Sequence, residues 1–136
     1  MKIEILLQQF RGKELDPHYL GYFECFNQKR YFDAHEVLEP LWLKERGHPQ
    51  ALFYKGLIQF AAAFVHLQKN RRQPAISLFG LARENLRQYP KNHEGLDLQK
   101  LLETIERYLS DLSAGQLSEP LFCPDRAPQF LPEEAR

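Results

Sequence analysis

Apolar residues recur at helical spacing along most of this chain, and Gly, Pro and Asn punctuate the pattern into five segments. Asp16-Pro17 reads as an N-cap followed by proline at the first helical position, and Tyr19, Tyr22, Phe23 and Phe26 then share one face up to about Asn27. The short Asn27-Gln28-Lys29-Arg30 link predicts a second helix over about 30–45, lying back along the first. There Phe32, Leu38, Trp42 and Leu43 set the apolar arc, and each helical position turns by about 100°. On that wheel His35 and Glu39 lie one turn apart inside the arc and are expected to face the core. Asp33, Lys44 and Pro40 fall opposite, and Glu36 sits at the edge. Pro40 removes the hydrogen bond to the Glu36 carbonyl, which predicts a kink or a restart of the helix.

Gly47-His48-Pro49 ends that helix and starts a third, about 49–70. Phe53, Leu57, Phe60, Phe64 and Leu67 form one apolar face and Tyr54, Ile58, Ala61 and Val65 another, so this helix is expected to be surrounded by the others. Its polar stripe is Lys55, Gln59 and His66, and Ala62 and Ala63 leave room there for a neighbour or a small ligand. A fourth helix over about 74–89 carries Ala75, Leu78, Phe79, Ala82, Leu86 and Tyr89. A fifth, about 93–113, is expected to be capped by Asn92 and to bury Leu98, Leu101, Leu102, Ile105, Tyr108, Leu109 and Leu112. The last twenty residues hold Pro120, Pro124, Pro128 and Pro132, too many for a helix, yet Leu121, Phe122, Phe130 and Leu131 are poor choices for a free tail.

The expected fold is therefore all-α, a compact bundle of five helices around a central apolar helix, with an extended proline-containing strap at the C-terminus. The chain divides into a docked arm (1–15), the bundle (16–113) and the strap (114–136), within a single domain. Eighteen basic residues balance eighteen acidic ones, so no global field draws the chain to nucleic acid or an anionic membrane. The cluster Lys69, Arg71, Arg72, Arg83 and Arg87 is too thin a stripe to reverse that. Cys25 and Cys123 make no disulfide framework, and Met1–Gln8 is too short and polar for a signal core, which together predict a soluble cytoplasmic protein.

If helices two and three fold back about position 47, partners have numbers summing to roughly 94. That construction places Lys55 opposite Glu39 and Gln59 opposite His35, giving the two core-facing groups an ion pair and a hydrogen bond in a structural cluster of His35, Glu36, Glu39, Trp42, Lys55 and Gln59. The alternative is chemical. His35-Glu36-x-x-Glu39 is similar to the zincin string H-E-x-x-H with glutamate in place of the second histidine. On that reading His35, Glu39 and a more distant His66 ligate zinc, manganese or iron, and Glu36 is a general base for hydrolysis. A lysine opposite Glu39 would compete with the cation. The sequence specifies no reaction or substrate.

Phe26-Asn27, the run Tyr31 to Trp42, and Gly56-Leu57-Ile58-Gln59 followed by three alanines together resemble the signatures of domain-of-unknown-function family 309 over about residues 16–90. The resemblance implies a small all-helical protein of bacterial or archaeal type, and places His35, Glu36, Glu39, Trp42 and Gln59 within the family pattern, from which Pro40 departs. It implies no activity. Ala75, Phe79 and Ala82 followed by a proline are also similar to the second half of a tetratricopeptide repeat. With no reaction indicated, the function expected is a structural or interaction module, with a protein partner or a second copy of the chain as what it binds. Metal binding, with or without hydrolysis, is the alternative.

Overall fold

Six α-helices, a two-stranded hairpin and a C-terminal strap make up the described part of the chain, residues 3–12, 14–115 and 118–133 of a computed structural model. The helices are α1 (Ile3–Gln8), α2 (Pro17–Asn27), α3 (Tyr31–Glu45), α4 (Ala51–Gln68), α5 (Arg72–Leu86) and α6 (Leu98–Ser113). The predicted arm is thus a short helix that buries Leu6 against α2. Met1, Lys2 and Lys13 of the arm, and 116–117 and 134–136 of the strap, lie outside the described residues.

Three of the predicted starts have a local cause. Asp16 caps α2 by accepting the N–H of His18 at 2.8 Å, and Pro17 follows in the first turn. Pro49 stands just before α4 and Pro74 at the third position of α5, where a missing N–H breaks no helical bond. Pro40 is tolerated differently: α3 runs through it without restarting, and the ring is exposed on the outer face.

The start of α6 differs from expectation. Asn92 does not cap it but pairs with Asp97 in an antiparallel hairpin, Asn92–His93 (β1) against Leu96–Asp97 (β2). Glu94 and Gly95 make the two-residue turn with φ of 50° and 70°, which matches the twist of such hairpins. The cap falls to Asp97, whose carboxylate accepts the Lys100 N–H at 3.0 Å.

The core is aromatic and α4 runs through it, buried on nearly every side. Phe26 of α2 stacks on Phe60 at 5.2 Å and meets Phe64 edge-on at 5.3 Å, while Phe64 lies 5.4 Å from Phe79 of α5 and 5.2 Å from Tyr108 of α6. Edge-to-face rings add about 0.5–1.5 kcal/mol each beyond their burial. Tyr22 donates its hydroxyl to the Leu57 carbonyl at 2.6 Å inside this core, and burial drives its pKa up. α4 and α5 approach closely at Gly56, where a Cβ would stand 2.6 Å from Cγ of Leu86.

The strap is extended, as expected, apart from one 3-10 turn at Pro124–Arg126. Leu121 and Phe130 are buried and Phe122 packs on Tyr31, although Leu131 stays 39% exposed. Cys25 is buried, with its thiol pushed up to about 11 chiefly by desolvation, and Cys123 is exposed.

Candidate functional site

α3 has two apolar stripes, and only one of them is core. Tyr31, Ala34, Val37, Leu38 and Leu41 are buried against α2 and α4. Phe32 is 60% exposed and Leu43 43%. Both were expected inside, and because they define the arc in which His35 and Glu39 lie, these two turn outward as well. The buried set recurs at i, i+3, i+6, i+7 and i+10. Phe32, His35, Glu39 and Leu43 repeat the same helical period on a neighbouring face, so period alone does not separate the stripes.

On that outer stripe His35 Nε2 lies 3.5 Å from Glu39 Oε2, with the side chains 30% and 46% exposed. The contact is longer than a good N–H···O bond, which spans about 2.7–3.2 Å. Neither expected partner from α4 reaches it. Lys55 is exposed and sets its ammonium 5.9 Å from the centre of the half-buried Trp42 ring, a cation–π contact. Gln59 accepts a hydrogen bond from Asn85 of α5 at 2.7 Å. The reason is rotational. Gly56 and Gln59 share a side of α4, and Gly56 is pressed against Leu86 and Asn85, so that side serves α5 rather than α3. The buried cluster expected from the register therefore does not form. Glu36 is exposed on the solvent side.

His66 comes nearer than expected. Phe32 and His35 of α3 and Ala62, Val65, His66 and Lys69 of α4 line one cleft of about 250 Å³, with Ala62 supplying the room anticipated there. Ala63 is in the core. The Nδ1 atoms of His35 and His66 are buried without a hydrogen-bond partner. Burial first, then Arg71 and Lys69, hold His66 below the ordinary imidazole value. Among the described residues, no three His, Cys, Asp or Glu side chains gather closely enough to hold a metal ion.

Asn85 carries no signal in the sequence, and His18 and His93, whose places near helix starts and loops read most simply as surface positions, are both partly buried and bonded. His18 donates from Nδ1 to the Val37 carbonyl at 2.8 Å, one residue beyond the carbonyl that Pro40 leaves without its helical partner. Asn85 binds Gln59, and nothing in the pattern of α5 marks it. His93 lies edge-on to Phe53 at 4.6 Å, with Nε2 2.7 Å from Gln50.

Residues 19–78 match the sequence model described as Domain of unknown function (DUF309). Over that stretch, 60 of the 136 residues, the chain is similar to this family. The segment runs from the first turn of α2 into the middle of α5 and includes His35, Glu36, Glu39, Trp42, Lys55, Gln59 and His66. The chain is also similar to the "Uncharacterized protein YpuF" of Bacillus subtilis (strain 168), with 31% identity over 94 residues. That match covers 65% of this chain and 52% of the relative, so the chain spans about half the length of the curated protein it matches. No solved structure matches. No helix among the described residues is long and apolar enough to cross a membrane.

Proposed function

We propose that this protein is an interaction module whose working surface is the outer stripe of α3, with an amphipathic helix as its partner. The observation that carries this is the stripe itself: Phe32 and Leu43, both substantially exposed, bracket the His35–Glu39 pair on one helical line, and the core is complete without them. Apolar side chains at helical period left 60% and 43% exposed are the chemistry of a helix–helix seam. Phe32 and Leu43 are eleven residues apart, about 16 Å along the axis, so the partner helix needs apolar residues at that spacing and polar groups between them. Photo-crosslinking tests this. A benzophenone amino acid at position 32 and at position 43 is expected to capture the same species, with none captured from Ile5, an equally exposed site on α1. Equal capture at all three, or none, overturns it.

A second reading is a divalent transition cation on the same pair. The 3.5 Å separation of His35 Nε2 and Glu39 Oε2 is close to the edge of a tetrahedron around zinc, about 3.3 Å for ligands at 2.0–2.1 Å. Lys55, the expected competitor, lies over Trp42 instead. Two protein ligands leave positions open, which His66 across the cleft or a partner side chain would have to fill. Elemental analysis of purified protein is the test. Stoichiometric zinc, manganese or iron, removed by both His35→Ala and Glu39→Ala, supports the reading, and metal-free protein that takes up no added zinc or manganese ends it.

A further inference from the structure

The C-terminal strap is held by the bundle in the way a protein holds an extended peptide ligand. Asn27, the last residue of α2, grips Phe130 at both ends of its backbone: Nδ2 donates to the Phe130 carbonyl at 2.8 Å and Oδ1 accepts the Phe130 N–H at 2.9 Å. One primary amide thereby replaces a strand neighbour, and it reads main chain without regard to sequence. Asn70, at a φ of 55° just beyond α4, accepts the Leu121 N–H at 2.8 Å. Lys100 of α6 donates to the Gln129 carbonyl at 3.3 Å and lies 5.2 Å from the Phe130 ring centre. Two buried anchors nine residues apart supply the side-chain pockets. Phe130 fits between Phe26 at 6.0 Å and Phe60 at 5.8 Å, and Leu121 is buried at the other end.

We infer that this groove is a peptide-binding site, filled in this structure by the chain's own strap and able to take in its place an extended peptide of the same kind, with an apolar anchor and a Phe nine residues on. The grip is divided among side chains projecting from three helices, whose internal hydrogen bonds do not depend on the strap. The receiving residues Phe26, Asn27, Phe60 and Asn70 belong to the matched DUF309 segment, whereas the strap lies beyond it. Phe26-Asn27 is also part of the motif that the α3 face leaves unexplained. The inference rests on residues separate from that face.

The test is a competition on the full chain. A fluorescent peptide of residues 118–133 is titrated against wild type and against Phe130→Ala, which weakens the resident occupant. In the wild type the tethered strap competes at an effective concentration of order millimolar. The Phe130→Ala chain is expected to bind the peptide at least tenfold more tightly than wild type does. Adding Asn27→Ala, or placing Phe130→Ala in the peptide instead, should remove most of that gain. Equal binding by both chains, or none by either, overturns the inference. If Phe130→Ala does not fold, amide exchange in the wild type decides: the Phe130 and Leu121 amides should exchange at least about 100-fold faster than those of Leu57 and Phe60. Equal protection shows a strap that never lifts and refutes a peptide site.

Discussion

Gly56→Ala tests the packing that decides which side of α4 faces which neighbour. A Cβ at position 56 stands 2.6 Å from Cγ and 2.8 Å from Cδ2 of Leu86, and 3.3 Å from Cβ of Asn85. Leu86 is fully buried and has little room to retreat. Overpacking of this kind costs about 1–3 kcal/mol, and contact with a branch carbon rather than a flexible tip argues for the upper half. Alanine in a helix interior returns about 1 kcal/mol of propensity over glycine. The net expectation is a loss of about 1–2 kcal/mol, read as a lower urea midpoint at unchanged slope. Leu86→Ala alone should cost about 2–5 kcal/mol through the cavity it leaves. In the double variant the new methyl occupies part of that cavity, so the two costs should sum to at least about 1 kcal/mol more than the measured loss. A neutral or stabilising Gly56→Ala, or strict additivity with Leu86→Ala, would refute the close approach and with it the reason Gln59 turns to Asn85.

Two further expectations separate this structure from the buried cluster read from the sequence. Glu39→Gln should cost less than about 1 kcal/mol, as exposed ion pairs do, whereas a buried Glu39–Lys55 bridge would cost about 3–5, so chemical denaturation tells the two apart. The two perturbed histidines fix the sign of the acid response. His66 and His93 are both held below the ordinary value by burial, reinforced for His66 by Arg71 and Lys69 and opposed for His93 by Glu94. The unfolded chain therefore takes up these protons first, so stability should hold above about pH 6.5 and fall as pH drops through the folded values below it. Urea midpoints between pH 7.5 and 5.5 should show that decline, flattened in His66→Asn/His93→Gln, and midpoints that rise on acidification would contradict it.

The helices were legible because their punctuation is chemical. Asp16-Pro17, Gly47 with Pro49, and the proline-rich tail each act through a local backbone constraint that needs no tertiary information. The start of α6 was misread because Asn92 and Asp97 are both competent caps, and the choice rests on a Glu94-Gly95 turn whose hairpin signal is weak without flanking long strands. The site was misread for a different reason. Phe32 and Leu43 have the period and hydrophobicity of core residues, and nothing local says that Tyr31, Ala34 and Val37 take that place. Helix-hairpin register alone then gave Gln59 to α3 instead of α5, and Lys55 to Glu39 instead of Trp42 on the same helix, because it counts residues along α3 and α4 and omits the pull of α5 at Gly56. A second apolar stripe left outside the core is itself what the interface proposal draws on.

The most direct test of that proposal is to remove the polar pair and ask whether folding and capture separate. His35→Ala/Glu39→Ala, carrying the benzophenone residue at position 32, should melt within a few degrees of the parent chain, since the pair is only half-buried and its one ion-pair contact lies within α3. Capture of the partner at position 32 should be lost. A variant that unfolds would return His35 and Glu39 to a structural role, and one that folds and still captures the partner would show that the outer stripe of α3 does not depend on them.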